Sequence, residues 1–264
     1  MTGHRDGAAE ERVRVLRTAA ELAWHCVHAA MAAGEPFEVE FKSGPADLVT
    51  PVDRAVEARV RDLVLASFPD DAFQGEEFGA VNDGAEWTWW VDPVDGTTNF
   101  ANRVPFASTS IAVARGGVTV AGVVVDAASG ARLVAVRGRG SERDGRPLRL
   151  DDERGLAGAV VATELMGARP WPGLERVIDR LAAEGATMRV LGSSAMSLAL
   201  TAAGVAVACV IASAHPIDTA AGLLLVEEAG GTVARLEAHA FRPVPMLVAG
   251  TAAAVEAVSA LLGA

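Results

Sequence analysis

Hydrophobic positions at the start of the chain recur with helical spacing. Val13, Leu16, Ala20, Trp24, Val27 and Met31 fall on one face and Gly34 ends the run, which predicts a helix over residues 8–33. Residues 37–41 alternate apolar and acidic side chains, as an exposed strand would. A loop from Lys42 to Val49 leads into Thr50-Pro51-Val52-Asp53. Here Thr50 reads as an N-cap, Pro51 as the first helical residue and Asp53 as the third, opening a helix that runs to Ser67. Apolar runs at 72–74 and 87–91 predict strands ending on Gly75-Glu76-Glu77 and on Asp92. Residues 106–136 hold three strand-like runs separated by Gly116-Gly117 and Ser129-Gly130, hence antiparallel hairpins. The stretch 137–155, rich in Gly, Arg and Asp, reads as turns and a boundary.

Beyond that boundary the period switches back and forth. Strands are expected at 158–163, 187–190, 206–211, 232–235 and 246–249, and helices at 173–184, 193–204, 217–229 and 252–262. The first half therefore reads as α+β with an antiparallel sheet and the second as α/β, with subdomains at 1–150 and 151–264. From Leu191 to Asp218 no charged residue occurs before Asp218 itself, a length that would span a bilayer. Gly192, Ser193, Ser194, Ser197, Thr201, Gly204, Ser213, His215 and Pro216 interrupt it, so a buried helix followed by a buried strand is the better reading.

Composition narrows the function classes. The chain has 264 residues, 51% hydrophobic and 22% charged, enough for a large core without disulfides. Its formal net charge of −11 argues against nucleic-acid partners and against an anionic membrane surface. Cys26 and Cys209 are far apart in apolar surroundings and read as buried reduced thiols. The first residues carry charges where a secretory leader needs an apolar run, so a cytoplasmic protein is expected.

The acidic residues raise a sharper question, namely which cation they hold. In Trp90-Val91-Asp92-Pro93-Val94-Asp95-Gly96-Thr97-Thr98-Asn99-Phe100, a buried strand delivers Asp92 at its end, and Pro93 keeps Asp92 extended. Asp95 follows three residues later, and Gly96-Thr97-Thr98 supplies amides and hydroxyls suited to an anion at a helix start. Taken alone, this is also the composition of an ordinary turn. Glu76 and Glu77 follow another strand, and Asp53 and Asp218 open helices, where capping would explain each one singly. Together they form a set of strand-end and helix-start carboxylates flanked by apolar sequence.

These residues resemble the inositol monophosphatase family of metal-dependent, lithium-sensitive phosphatases. The resemblance rests on Trp90 to Phe100, on Ile217-Asp218-Thr219-Ala220-Ala221-Gly222 with Val226-Glu227-Glu228-Ala229-Gly230-Gly231, on Lys42 through Asp53, and on Gly75-Glu76-Glu77. Six fixed residues of the first motif should match by chance only ~10⁻⁵ to 10⁻⁶ of the time. The resemblance implies a layered αβαβα sandwich, a homodimer, and two or three Mg²⁺ per site. By resemblance Glu76, Asp92 and the Val94 carbonyl hold one ion, and Asp92, Asp95 and Asp218 another. Gly96 and Thr97 bind phosphate beside Asp95. Asp53 and Thr97, with Glu76, are the catalytic residues that orient and deprotonate water.

The implied activity is phosphomonoester hydrolysis of a small phosphorylated metabolite, inositol phosphate-like. Histidinol phosphate, sugar phosphate and 3′-phosphoadenosine nucleotide are the alternatives, as is a catalytically silent binding protein on this fold. Substrate contacts are expected from Gly192, Ser193, Ser194 and Ile211. Ile211 stands where inositol-specific members carry an acid, so specificity for inositol itself is expected to be weakened.

Overall fold

The computed structural model describes residues 3–34, 37–238 and 243–263. Helix α1 (Gly3–Ala32) is followed by a two-stranded ribbon, β1 (Glu40–Phe41) and β2 (Leu48–Val49), and by α2 (Pro51–Ser67). A large sheet comes next: β3 (Ala72–Gly75), β4 (Gly79–Val81), β5 (Trp87–Asp95), β6 (Ser108–Arg115), β7 (Val118–Asp126), β8 (Arg132–Val136), β9 (Gly140–Arg143) and β10 (Arg146–Pro147), with α3 (Thr97–Ala101) directly after β5. The second sheet contains β11 (Val160–Thr163), β12 (Thr187–Val190), β13 (Ala208–Ala212), β14 (Thr232–Leu236) and β15 (Met246–Gly250). Its helices are α4 (Leu174–Ala183), α5 (Ser194–Ala202), α6 (Pro216–Glu228) and α7 (Ala252–Gly263).

The large sheet runs β10-β9-β8-β7-β6-β5-β3-β4, antiparallel except for the β3–β5 pair. The small one runs β12-β11-β13-β15-β14, with β11 parallel to both neighbours and β15 antiparallel to its own. Helices α1 and α2 cover one face of the large sheet, α5 and α6 fill the space between the sheets, and α4 and α7 cover the outside of the small sheet. The result is five layers, αβαβα.

The central strands show why this stacks. In β7, Ala121, Val123 and Val125 join the core under α1 and α2, whereas Val124 joins the core under α5 and α6. A strand buried on both faces reads as a continuous apolar run. Helices α5 and α6 lie between two sheets and are apolar almost all round, which accounts for the uncharged stretch before Asp218. No helix among the described residues is long and apolar enough to cross a membrane.

The expected helix starts and hairpins are present. Thr50 caps α2 in a capping box with Asp53. Five details differ from expectation. Only Glu40–Phe41 of the 37–41 run is strand, β2 occupies the end of the expected 42–49 loop, β5 runs past Asp92 to Asp95, Cys26 is half-buried rather than buried, and β4, β9 and β10 were not anticipated. These last strands lie at or beside sheet edges, where charged and small residues erase the alternation that marks a half-buried strand.

One buried ion pair ties α1 to the large sheet. Arg12 donates to both Asp71 oxygens at 2.8 and 2.6 Å, and Trp89 Nε1 donates to Asp71 Oδ2 at 2.9 Å. The guanidinium carbon lies 4.2 Å from the ring centroids of both Phe68 and Trp87. Asp71→Ala would strand this cation, so equilibrium urea denaturation should show a loss of about 3–5 kcal/mol. A loss below about 1 kcal/mol would mean that the pair gives no net support.

Candidate active site

The site is built where β3 and β5 end side by side. The parallel register pairs Gly75 with Val91, so Glu76 and Asp92 emerge as neighbours. The β5–β6 register breaks between Asp92 and Asp95, and this irregularity turns the chain out of the sheet. Asp92 is 3% exposed, and its Oδ1 accepts the Val94 amide at 3.1 Å. Gly96 follows with φ +89°, a left-handed conformation, and a Cβ there would lie 2.7 Å from the Gly192 carbonyl oxygen. Glycine is thus required twice over at the entrance to α3.

Asp53 reaches the site from the first turn of α2. It is fully buried, and its Oδ2 accepts the Thr50 amide at 2.9 Å and the Thr50 hydroxyl. Its Oδ1 lies 3.1 Å from Thr97 Oγ1, which also lies 2.9 Å from the Val94 carbonyl. The single Thr97 hydroxyl proton therefore has two acceptors in reach. Asp95 Oδ2 accepts Ser193 Oγ and the Ala195 amide, each at 2.6 Å, which locks the start of α5 against the β5 turn. Asn99 donates to the Phe106 and Leu191 carbonyls at 2.8 and 2.7 Å, closing the same junction.

A cleft of about 650 Å³ opens over these groups. Glu76, Asp92, Val94, Asp95, Gly96, Thr97, Gly192, Ser193, Ser194 and Asp218 all line it, and Asp53 stands behind Thr97. Ile211 does not line it. It is 4% exposed in β13, pairs with Leu247 and packs into the core around α5 and α6. The expectation that Ile211 meets substrate is corrected accordingly. Ile211→Glu would bury a carboxylate among apolar side chains instead of adding a hydroxyl acceptor to the cleft. Its apolar wall comes from elsewhere, with Leu165 and Val190 38% and 47% exposed.

The sequence reading missed Glu164. It directly follows β11, lines the cleft, and accepts the Gly192 amide and the Ser197 hydroxyl, each at 2.5 Å. An acid immediately after a strand is the same signal that singled out Glu76 and Asp92.

Burial and like charge shape the electrostatics. Burial, then the charges of Glu76, Asp95, Asp218 and Asp53, push Asp92 well above the usual carboxylate range. Burial lifts Asp95 to about 7 against the bond from Ser193, and Asp218 adds to the rise. Asp218 rises to about 6 through burial and the Glu76 charge, with Lys42 opposing. Burial raises Asp53 too, offset by its bonds from Thr50 and Thr97. Lys42 donates to Glu76 at 2.6 Å and to Glu77 at 2.9 Å. Burial disfavours its charge, but those two bonds outweigh that and hold it protonated.

Among the described residues, no three of these side chains are drawn into a closed metal cage. The donor set nevertheless fits a hard divalent cation. It consists wholly of oxygens; Glu76, Asp95 and Asp218 raise Asp92, Asp218 raises Asp95 and Glu76 raises Asp218, and a cation relieves this repulsion. Ser110 Oγ, directly across from Asp92 in the register, is buried without a hydrogen-bond partner, a further polar atom beneath the cluster.

Residues 10–262 match the model of the inositol monophosphatase family. The chain belongs to that family. It is 37% identical over 223 residues to the Nus factor SuhB of Salmonella typhimurium, covering 83% of this chain and 84% of the relative. The same protein of Escherichia coli strain K12 is 36% identical over the same coverage. Among solved structures, the extragenic suppressor protein suhB of Bartonella henselae superposes with a TM-score of 0.85 at 29% identity, covering 95% of this chain and 97% of that one. The Thermotoga maritima IMPase gives 0.78 at 28%, covering 96% of each chain. The five-layer fold is thus the fold of this family.

Proposed function

We propose that the protein is a Mg²⁺-dependent phosphomonoesterase that cleaves a small phosphorylated metabolite by direct attack of water. The site would lie between a subdomain of residues 1–150 and one of 151–264, in a cytoplasmic homodimer. The observation that carries this reading is the convergence of Glu76, Asp92, Asp95 and Asp218 in one cleft with the Gly96–Thr97 backbone and the Asp53–Thr97 pair. Glu76, Asp92 and the Val94 carbonyl would hold one ion, Asp92, Asp95 and Asp218 a second, and Glu76 would help order a third.

Held by these carboxylates, the ions would supply Lewis acidity toward phosphoryl oxygens and would lower the pKa of a bound water. The Gly96 and Thr97 amides receive the phosphate at the turn into α3. Thr97 Oγ1 orients the attacking water, and Asp53 Oδ1, 3.1 Å behind it, takes up the proton released through that hydroxyl. A buried base with a raised pKa accepts this proton more readily than a solvated carboxylate would. Phosphate release with Mg²⁺, abolished by excess EDTA, is the expected result; full turnover in EDTA would refute the reading.

The lining also bears on substrate. Among the described residues no arginine or lysine lines the cleft, whereas Asp47 and Glu164 add carboxylates beyond the proposed ligands. With the apolar Leu165 and Val190, this favours a monophosphate whose alcohol part is uncharged or cationic. A second phosphate would meet carboxylates, because the nearby Lys42 is already paired with Glu76, Glu77 and Asp47 and does not line the cleft. The kcat/KM for 3′-phosphoadenosine 5′-phosphate should therefore fall at least about tenfold below that for histidinol phosphate. Inositol 1-phosphate should not head the panel, because the exposed Leu165 and Val190 offer a polyhydroxy ring no hydrogen-bond partner. A preference for a bisphosphate would overturn this assignment.

A second reading, a binding protein on the same fold, draws on the name Nus factor carried by the SuhB relatives. With a net charge of −11 such a partner would be a protein rather than RNA. Absence of phosphate release from every ester in the panel would favour it.

A further inference from the structure

Glu57 is fully buried, yet it takes no part in the chemistry proposed above. It lies one helical turn beyond Asp53 on α2, so both carboxylates leave the same face of the helix. Its Oε2 accepts the Glu77 amide at 2.7 Å and its Oε1 the Phe78 amide at 2.9 Å. These two amides immediately follow Glu76. On the other side, Gly75 immediately precedes Glu76, and a Cβ on Gly75 would lie 1.9 Å from Glu57 Oε1. The carboxylate thus occupies the space a side chain at position 75 would need, and it grips the turn on the far side of Glu76.

We propose that Glu57 is a positioning residue that clips the Glu76 turn to the helix carrying Asp53, fixing a cation-binding carboxylate relative to the base that acts on water. The proposal rests on the phosphatase reading above. It explains why a charged group is retained in the core. A buried carboxylate with two charge-assisted bonds to adjacent amides defines the turn more narrowly than an apolar side chain could. It also explains the glycine at position 75, whose φ is not left-handed and which conformational freedom does not require. Glu76 itself is exposed, and among the described residues only Lys42 holds its side chain, so its placement depends on the backbone turn.

The test uses the full-length protein and the variants Glu57→Gln and Gly75→Ala. In Glu57→Gln one oxygen still accepts an amide, but the NH₂ group faces the other amide donor to donor. In Gly75→Ala the methyl group displaces the carboxylate. Each should raise the Mg²⁺ concentration for half-maximal activity about tenfold to a hundredfold. Calorimetric titration with Mg²⁺ alone should weaken in parallel. KM for the phosphoester at saturating Mg²⁺ should stay within about twofold, since Gly96 and Thr97 lie on another element. In a Glu57→Ala background the methyl of Gly75→Ala has room, so adding it should change nothing further.

Variants that melt earlier but keep the wild-type Mg²⁺ curve would reduce Glu57 to a support for the turn and overturn the proposal. Additive effects of Glu57→Ala and Gly75→Ala would do the same. A wild-type protein that neither binds nor responds to Mg²⁺ would instead remove the phosphatase reading itself, and is recognised before any variant is made.

Discussion

Asp92→Asn and Asp218→Asn should each lower kcat about a thousandfold or more, equivalent to about 4 kcal/mol of transition-state stabilisation. Asparagine keeps the shape of the side chain, and at position 92 its oxygen still accepts the Val94 amide. What it removes is the charge that draws cations to the cluster. The same loss relieves repulsion, because Asp92 is raised by Glu76, Asp95, Asp218 and Asp53 after burial, and Asp218 by Glu76 after burial. In EDTA, therefore, each variant should melt no lower than the wild type in EDTA. The two measurements must go together. Loss of activity with a lower melting temperature in EDTA would describe a damaged fold, and near-wild-type turnover with Mg²⁺ would remove these carboxylates from the site. For most buried polar residues activity and stability fall together, so the opposite signs expected here identify a charge retained for binding rather than for folding.

Much of this site could be read from the chain because its residues occupy positions with local signatures. Asp92 closes the apolar run of β5 before a proline, Asp53 and Asp218 are third residues of helices that begin with proline, and Gly96 opens a helix. Each signature depends on only a few neighbouring residues. The elements were legible for a related reason, whereas their stacking into five layers was implied by the resemblance alone. Strands buried on both faces and helices apolar all round leave long uninterrupted runs, and the two glycine-bearing turns at 116–117 and 129–130 punctuate them.

What could not be read depends on contacts distant in sequence or on irregular backbone. Glu57 looks like one more charge on an amphipathic helix until the amides of Glu77 and Phe78 are brought to it. Glu164 carried the strand-end signal, but its part in the cleft shows only once Gly192 and Ser197, about thirty residues on, donate to it. Ile211 illustrates the opposite error. Its contact with substrate was implied by the resemblance, but within β13 it pairs with Leu247 and packs into the core around α5 and α6, which only the long-range register reveals. The edge strands β4, β9 and β10 escaped because charged and small residues at sheet edges leave no apolar alternation.

The cluster should also make stability depend on pH in a direction unusual for a carboxylate-rich protein. Asp95 at about 7, Asp218 at about 6 and Glu164 at about 7 all stand above their unfolded values, and Asp92 rises with them. Between about pH 4 and 7 the folded chain then holds protons that the unfolded chain has released, so the slope of unfolding free energy against pH is negative. In EDTA these groups favour folding below their unfolded values, and that contribution is lost as pH rises through the folded ones. Allowing for relaxation and water entry, the fall from pH 5 to 8 should be about 2–4 kcal/mol. Cations bound to the carboxylates replace the protons, so saturating Mg²⁺ should flatten the profile. The rise in melting temperature on adding Mg²⁺ should therefore grow steadily from pH 5 to 8. Urea melts at several pH values, with and without the ion, measure both quantities. An EDTA profile that is flat or rises over this range, or a Mg²⁺ increment independent of pH, would show that the buried carboxylates do not act as one cation-binding cluster.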